Sequence, residues 1–249
     1  MSIQKSWSEL QTMARAARIV MSTLDALEAA AVPGATTGDL DRIARESIEK
    51  AGARPAFLNY RGFPATLCAS VNEEVVHGIP GPRELREGDI VGLDLGCVLD
   101  GFFGDSARTV AVGKISAEAE ELLRTTREAL QAGVEMCRPG RRVGDIGHAV
   151  QAHAEARGYS VVREFVGHGI GTNLHEEPQV PNYGTAGHGP VLKEGLVIAI
   201  EPMVTCGNWR VRIDPDGWTA RTEDGKLAAH FEYSVAVTRD GHRVLGLEE

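Results

Sequence analysis

Two carboxylates, Asp94 and Asp105, bracket an Asp-Gly pair in the stretch LDLGCVLDGFFGDSA, residues 93–107. Asp-Gly between apolar runs is a strong local signal for a hairpin closed by a two-residue turn. If Asp100 and Gly101 form the turn, Leu99 faces Phe102 and Asp94 faces Ala107. Asp105, two residues from Ala107, then points to the same face as Asp94, on the diagonal, where both side chains reach one shared ion. Carboxylates converging on apolar strands repel each other and are costly to bury unpaired. A divalent cation relieves both costs. The competing reading is that one of them pairs with Arg108 or turns to solvent, as most aspartates do.

Three more residues have the same character. Glu201 ends GLVIAIE, an apolar run long enough for a buried strand, where a carboxylate needs a partner. Glu232 lies in HFEYSVAV, whose alternation puts Phe231, Tyr233, Val235 and Val237 on one face and His230, Glu232 and Ser234 on the other. His168, in VGHGIG, is flanked by glycines that allow close approach of backbone and ligand. Any one of these alone is more often a hydrogen-bonded structural group. Together they give four carboxylates and one imidazole, an oxygen-rich set suited to two adjacent divalent ions that share carboxylates.

The elements that must position them follow from pattern and punctuation. Helices are expected from about Glu9 to Ala31, Gly38 to Ala51, Ala117 to Met136 and Gly144 to Arg157, each closing near glycine or proline. The first begins at SWSE, which has capping-box spacing. VPGATTGDLDRIARESIEKAG, from Val32, and RPGRRVGDIGHAVQAHAEARG, from Arg138, align without a gap. They share Pro33/Pro139, Gly34/Gly140, Gly38/Gly144, Asp39/Asp145, Glu49/Glu155 and Gly52/Gly158. Each copy follows a long helix and precedes strand-like sequence, which favours a duplication over convergent turn chemistry. Strands are expected in ATLCASV, in the hairpin arms from about Ile90 to Val112, and in YSVVREFV, GLVIAIEPMVT, WRVRI, GWTAR and LAAHFEYSVAVT. The class is α+β, with helices on one face of an antiparallel sheet. One unit over residues 1–249 is expected, with halves of about 8–112 and 113–245.

The bulk numbers agree with an enzyme-sized globular chain: 249 residues, 43% hydrophobic, formal net charge −9. The acidic balance argues against a general nucleic-acid binder. Cys68, Cys97, Cys137 and Cys206 form no C-x-x-C pair, so a reducing, cytoplasmic setting is expected. MSIQKSWSEL carries no signal-peptide run, and no segment is apolar for long enough to span a bilayer.

With those residues in place, the chain resembles the type I methionine aminopeptidases, of the duplicated pita-bread fold, from about Ser8 to Leu245. The motifs that carry the resemblance are NEEVVHGIP, GDIVGLDLG, DGFFGDSART, FVGHGIGTNLHEEPQVPNY, GLVIAIEPM and HFEYSVAVT. The resemblance implies two divalent ions per chain, cobalt, manganese, iron or zinc, held by Asp94, Asp105, His168, Glu201 and Glu232. Asp105 and Glu232 would bridge, Asp94 would serve one ion, and His168 and Glu201 the other. It further implies hydrolysis of the first peptide bond of new proteins, with release of the initiator methionine before a small second residue. In that reaction His175 donates to the developing oxyanion and Glu201 carries a proton from water to the leaving amine. His77 contacts the substrate backbone and can assist proton transfer. The chain begins almost at its first helix and has no room for the long insertion of type II, so a compact bacterial-type enzyme is the nearest match.

By the same resemblance the methionine pocket is lined by Phe57, Tyr60, Phe63, Cys68, Leu174 and Trp218, with His77 at its edge. The family often has a small residue, commonly cysteine, at the position of Phe57, and an aromatic one at that of Leu174. Here large and small are exchanged, which conserves volume if the two share a wall. The implied partners are the N-termini of nascent chains, with no membrane and no specific nucleic acid, and a monomer is expected. The CRPGRR turn offers a transient ribosome contact, although such arginines are more often simply solvated. Two other readings stay open here. A proline-directed peptidase of the same fold usually carries an extra N-terminal domain. A metal-free binding protein of this fold would be expected to have lost ligands.

Overall fold

The computed structural model describes residues 4–247. Four helices, α1 (Trp7–Ala30), α2 (Thr37–Lys50), α3 (Ala117–Glu135) and α4 (Val143–Glu155), end within two residues of the positions expected. Before α3 come β1 (Arg54–Pro55), β2 (Leu67–Val71), β3 (Glu74–Val76), β4 (Ile90–Leu99) and β5 (Phe102–Ala111). After α4 come β6 (Ser160–Val161), β7 (Gly167–Gly169), β8 (Glu176–Val180), β9 (Val197–Ile200) and β10 (Met203–Thr205). The last are β11 (Val211–Ile213), β12 (Ala220–Thr222), β13 (Ala228–His230), β14 (Glu232–Thr238) and β15 (Gly241–Val244). The large sheet runs β1-β4-β5-β14-β9-β7-β8, with β2 on β4 and β15 on β14, all antiparallel. Two small sheets, β13-β10-β6 and β11-β12-β3, stand beside it.

The β4–β5 hairpin forms in the expected register, Leu99 opposite Phe102 and Asp94 opposite Ala107. Asp100 and Gly101 have φ of +49° and +83°, the pair of left-handed residues that a type I′ turn requires. The period of two then divides the strand cleanly. Leu93, Leu95 and Cys97 pack against Val20, Leu24 and Leu27 of α1 and Leu40, Ala44 and Ile48 of α2. Burying each such aliphatic side chain contributes about 1.5–3 kcal/mol. α1 approaches so closely that a Cβ on Gly104 would stand 2.6 Å from the backbone of Ala16. In the other half, Leu122, Leu130, Ile146 and Val150 of α3 and α4 pack on Ile198, Ile200, Val235 and Val237. The helix pairs thus cover one face of the sheet and leave the face of Asp94 to the site.

α1 starts on the expected capping box: Ser6 Oγ accepts from Glu9 N, and the Glu9 carboxylate accepts from Ser6 N at 2.6 Å. The sequence repeat recurs as a repeat of backbone bonds. Gly34 N donates to Leu85 O at 2.8 Å and Gly140 N to Leu192 O at 3.0 Å. Thr37 N and Val143 N donate to Arg83 O and Pro190 O, and Gly38 N and Gly144 N to Gly81 O and His188 O. Asp39 and Asp145 each accept from the backbone N–H three residues earlier, at 3.2 and 2.8 Å.

Three strands differ from expectation. YSVVREFV is extended only at Ser160–Val161. GLVIAIEPMVT breaks at Glu201–Pro202, because Pro202 has no N–H to continue the ladder, and β10 leaves for a small sheet. LAAHFEYSVAVT breaks opposite it at Phe231, whose N–H donates to Pro202 O at 3.3 Å. Among the described residues, no helix is long and apolar enough to cross a membrane.

Candidate metal centre

Asp94, Ala107 and Glu232 form one row across β4, β5 and β14. Ala107, between the two acidic residues, contributes only a methyl group, and Asp105 lies two residues along β5 on the same face. His168 comes from β7 at a bulge, between glycines that let the chain in: a Cβ on Gly167 would stand 2.3 Å from Ala199 O, and one on Gly169 2.2 Å from Glu177 O. Glu201 enters from the break after β9, its carbonyl accepting from Asn182 Nδ2 at 3.0 Å.

These side chains converge. Ligand atoms of Asp105, His168 and Glu232 lie within 4.8 Å of one another. His168 Nε2 is 3.9 Å from Asp105 Oδ2 and 3.5 Å from Glu201 Oε1. His168 Nδ1 bonds to Gly169 O at 2.9 Å, so it carries the proton and leaves the Nε2 lone pair facing the carboxylates. Asp94 Oδ1, Asp105 Oδ1 and Glu232 Oε1 are enclosed and have no hydrogen-bond partner. Arg108 does not help: it faces the helices and binds Asp25 and Glu28 at 2.8 and 2.9 Å. That disposes of the alternative in which it pairs with Asp94 or Asp105.

The electrostatics follow from this crowding. Burial raises the Asp94 carboxyl, whose Oδ1 is enclosed, from 3.8 to about 7. Burial, then the neighbouring carboxylates, lift Asp105, Glu201 and Glu232 well above the usual range. Orphaned carboxylate oxygens around a neutral imidazole lone pair are an oxygen-rich donor set for divalent cations, and the residues present fit them.

The site opens into a cavity of about 310 Å³ lined by these five groups and by His77, His175, Phe57, Tyr60, Phe63, Cys68, Leu174 and Trp218, with Arg61 and Phe165. Every ligand, catalytic and pocket residue proposed from the sequence therefore lines one cavity. A larger recess of about 570 Å³, between Pro178, Pro190, Val191 and Leu196, has among the described residues Glu177 and Lys193 as titratable wall groups and gathers no such cluster. Phe57 and Leu174 both line the site cavity and pack in one cluster with Met13 and Ile170. Phe63 stands edge-on to Trp218 at 5.2 Å. Trp218 is held by its loop: Asp216 Oδ1 accepts from Trp218 N at 2.8 Å, while Arg221 binds Glu73, Glu74 and Asp214.

The two outer histidines are placed differently. His77 has φ +61°, a strained conformation for a side-chain-bearing residue, costing of order 1–3 kcal/mol. The turn is pinned by Gly78, whose N–H donates to Ser70 Oγ at 3.1 Å and whose Cβ position would collide with Ala69 O. The ring meets Phe165 and Trp218 edge-on, and burial lowers its pKa to about 4. His175 stacks on Tyr60 and bonds through Nδ1 to the Tyr60 hydroxyl at 2.8 Å. Burial, then His168 and Arg61, lower it to about 4, so it is neutral near pH 7. Its neighbour Glu176 binds Lys5 Nζ at 2.7 Å and accepts from Asn173 N at 3.0 Å, fixing the loop that presents Leu174 and His175. Sequence reasoning placed Tyr60 in the pocket wall but missed this bond, and it put His230 on the face of Glu232 without foreseeing its approach to Glu201, Nε2 to Oε2 at 3.8 Å.

A profile of metallopeptidase family M24 matches residues 11–239. The chain is 50% identical to the methionine aminopeptidase of Clostridium acetobutylicum, with 100% of each chain covered. The crystal structure of methionine aminopeptidase from Rickettsia prowazekii matches with a TM-score of 0.97 and 40% identity, covering 98% of this chain and 99% of that one. The prolidase from Pyrococcus furiosus shares the fold at a TM-score of 0.80, with 23% identity over 66% of its own length. Half identity to a full-length relative and a common backbone settle the relationship: the chain belongs to metallopeptidase family M24, among its methionine aminopeptidases.

Proposed function

We propose that this chain removes the initiator methionine from the N-termini of newly made proteins, favouring a small second residue. The observation that carries the reading is the row Asp94–Ala107–Glu232, with Asp105, His168 and Glu201 converging on it in a cavity whose remaining wall is largely apolar. Asp94, Asp105, His168, Glu201 and Glu232 would hold two divalent ions, Asp105 and Glu232 serving both. Cobalt, manganese, iron and zinc all suit such donors. Bound there, divalent ions supply Lewis acidity toward the scissile carbonyl and toward water.

The chain's own residues do the rest. Phe57, Tyr60, Phe63, Cys68, Leu174 and Trp218 hold the methionine side chain, a flexible thioether that suits aromatic walls. His175 is neutral and has one N–H. With the Tyr60 hydroxyl donating to Nδ1, that N–H is on Nε2, free to donate to the oxyanion that develops at the carbonyl. Glu201 takes the proton of the attacking water and passes it to the leaving amine. His77 holds the substrate backbone beyond the methionine.

Residues 1–249 are read as one catalytic unit with halves of about 8–112 and 113–245, acting as a monomer in the cytoplasm on chains leaving the ribosome. The test is release of free methionine from Met-Ala-Ser by chelator-treated protein resupplied in turn with each of the four metals. Release that requires added metal is expected. No release with any of them overturns the reading.

A further inference from the structure

We infer that His230 is a positioning residue for Glu201, fixing the orientation in which that carboxylate meets a divalent ion. The inference rests on Glu201 being a ligand, as proposed above. Glu201 stands between two imidazoles: Oε1 is 3.5 Å from His168 Nε2, and Oε2 is 3.8 Å from His230 Nε2. The two rings occupy different places. His168 lines the cavity. His230 is 3% exposed and does not line it, and its Nε2 is fully enclosed with no hydrogen-bond partner. It therefore stands behind Glu201, where the carboxylate, and not an ion in the cavity, is within its reach.

The ring is put there by the scaffold. Thr109 Oγ1 accepts from His230 N and donates to His230 O, both at 2.9 Å, and His230 pairs with Met203 at the end of β13. A buried ring N–H without an acceptor is costly. A hydrogen bond requires Oε2 to close from 3.8 Å to about 3 Å from Nε2–H. Oε1 is then left facing His168 and the cavity. Partners that hold a ligating carboxylate from behind fix its aim, and losing one typically costs about 10–100-fold in metal affinity.

The experiment is calorimetric titration of manganese(II) alone into chelator-stripped wild type, His230→Ala, His230→Gln, His230→Met and Glu201→Gln. His230→Ala and His230→Met should bind manganese about 10–100-fold more weakly. His230→Gln, whose amide N–H can donate to Glu201, should stay within a few-fold of wild type. On Met-Ala-Ser, His230→Met should lose kcat with KM little changed. Gln and Met are close in size and differ in the donor, so this pair decides the matter even if His230→Ala does not fold. Equal affinity for the Gln and Met variants refutes the positioning role, provided Glu201→Gln weakens binding. Wild-type affinity in Glu201→Gln instead removes Glu201 from the ligand set, and this inference falls with it.

Discussion

Replacing Asp94 by Asn should stabilise the metal-free protein at pH 8 while weakening its hold on metal. In the folded chain the Asp94 carboxyl titrates at about 7 instead of 3.8, because it is enclosed. Below the unfolded value it is protonated in both states and costs nothing. As the pH rises toward 7 the unfolded chain releases the proton and the folded chain keeps it, so stability is lost over that window. At 1.36 kcal/mol per unit, the loss between pH 5 and pH 8 is about 3 kcal/mol. Asn has the shape without the charge and escapes it. Urea unfolding in chelator should therefore show a variant-minus-wild-type difference that grows by about 3 kcal/mol from pH 5 to pH 8. The histidines, shifted the other way, are common to both proteins and cancel in the difference, while loss of the Asp94 charge also relieves Asp105, Glu201 and Glu232 and adds to the difference in the same direction. With excess metal the order should reverse, since binding stabilises whichever protein binds more tightly. A difference that does not change between pH 5 and pH 8 refutes the electrostatic picture of the centre.

Three further outcomes are expected. His175→Ala should lower kcat by about 10²–10³-fold, the usual loss for one oxyanion donor, with metal content unchanged by elemental analysis. Loss of metal would put His175 among the ligands. Tyr60→Phe should lower kcat by roughly 2- to 10-fold, the worth of one hydrogen bond, through the 2.8 Å contact to His175 Nδ1, and an unaltered kcat would show that this bond does not set the tautomer. Phe57→Cys and Leu174→Phe, singly and together, should change kcat/KM for Met-Ala over Leu-Ala peptides non-additively, because both line one cavity. Simple addition would show that they do not share a wall.

The local parts of this site were legible in the sequence because they rest on short-range rules. Asp-Gly fixes the hairpin turn, and strand periodicity then puts Asp94 and Asp105 on one face without any tertiary information. Apolar pattern and closing glycines or prolines likewise marked the four helices, with a capping box at the first. Glu201 and Glu232 announced themselves as acids in apolar runs, but both runs were read as single strands. The breaks at Pro202 and Phe231 come from a proline and from a change of sheet, and only the first has a local signal. The second break is why His230 passed as a face-mate of Glu232: it ends β13, in a different sheet. β7 and β8 escaped notice because GHG and EEPQV have no hydrophobic period. The Tyr60–His175 bond joins residues 115 apart, a separation at which pattern carries no information.

The central claim is that Asp105 and Glu232 are shared by two ions and that catalysis depends on them. Its most direct test is the Asp105→Asn variant, measured for bound metal by elemental analysis and for methionine release from Met-Ala-Ser across a metal titration. Wild type should bind two ions per chain at saturation, and Asp105→Asn should release no methionine at any metal concentration. Near-normal turnover by Asp105→Asn with metal in excess would contradict the account.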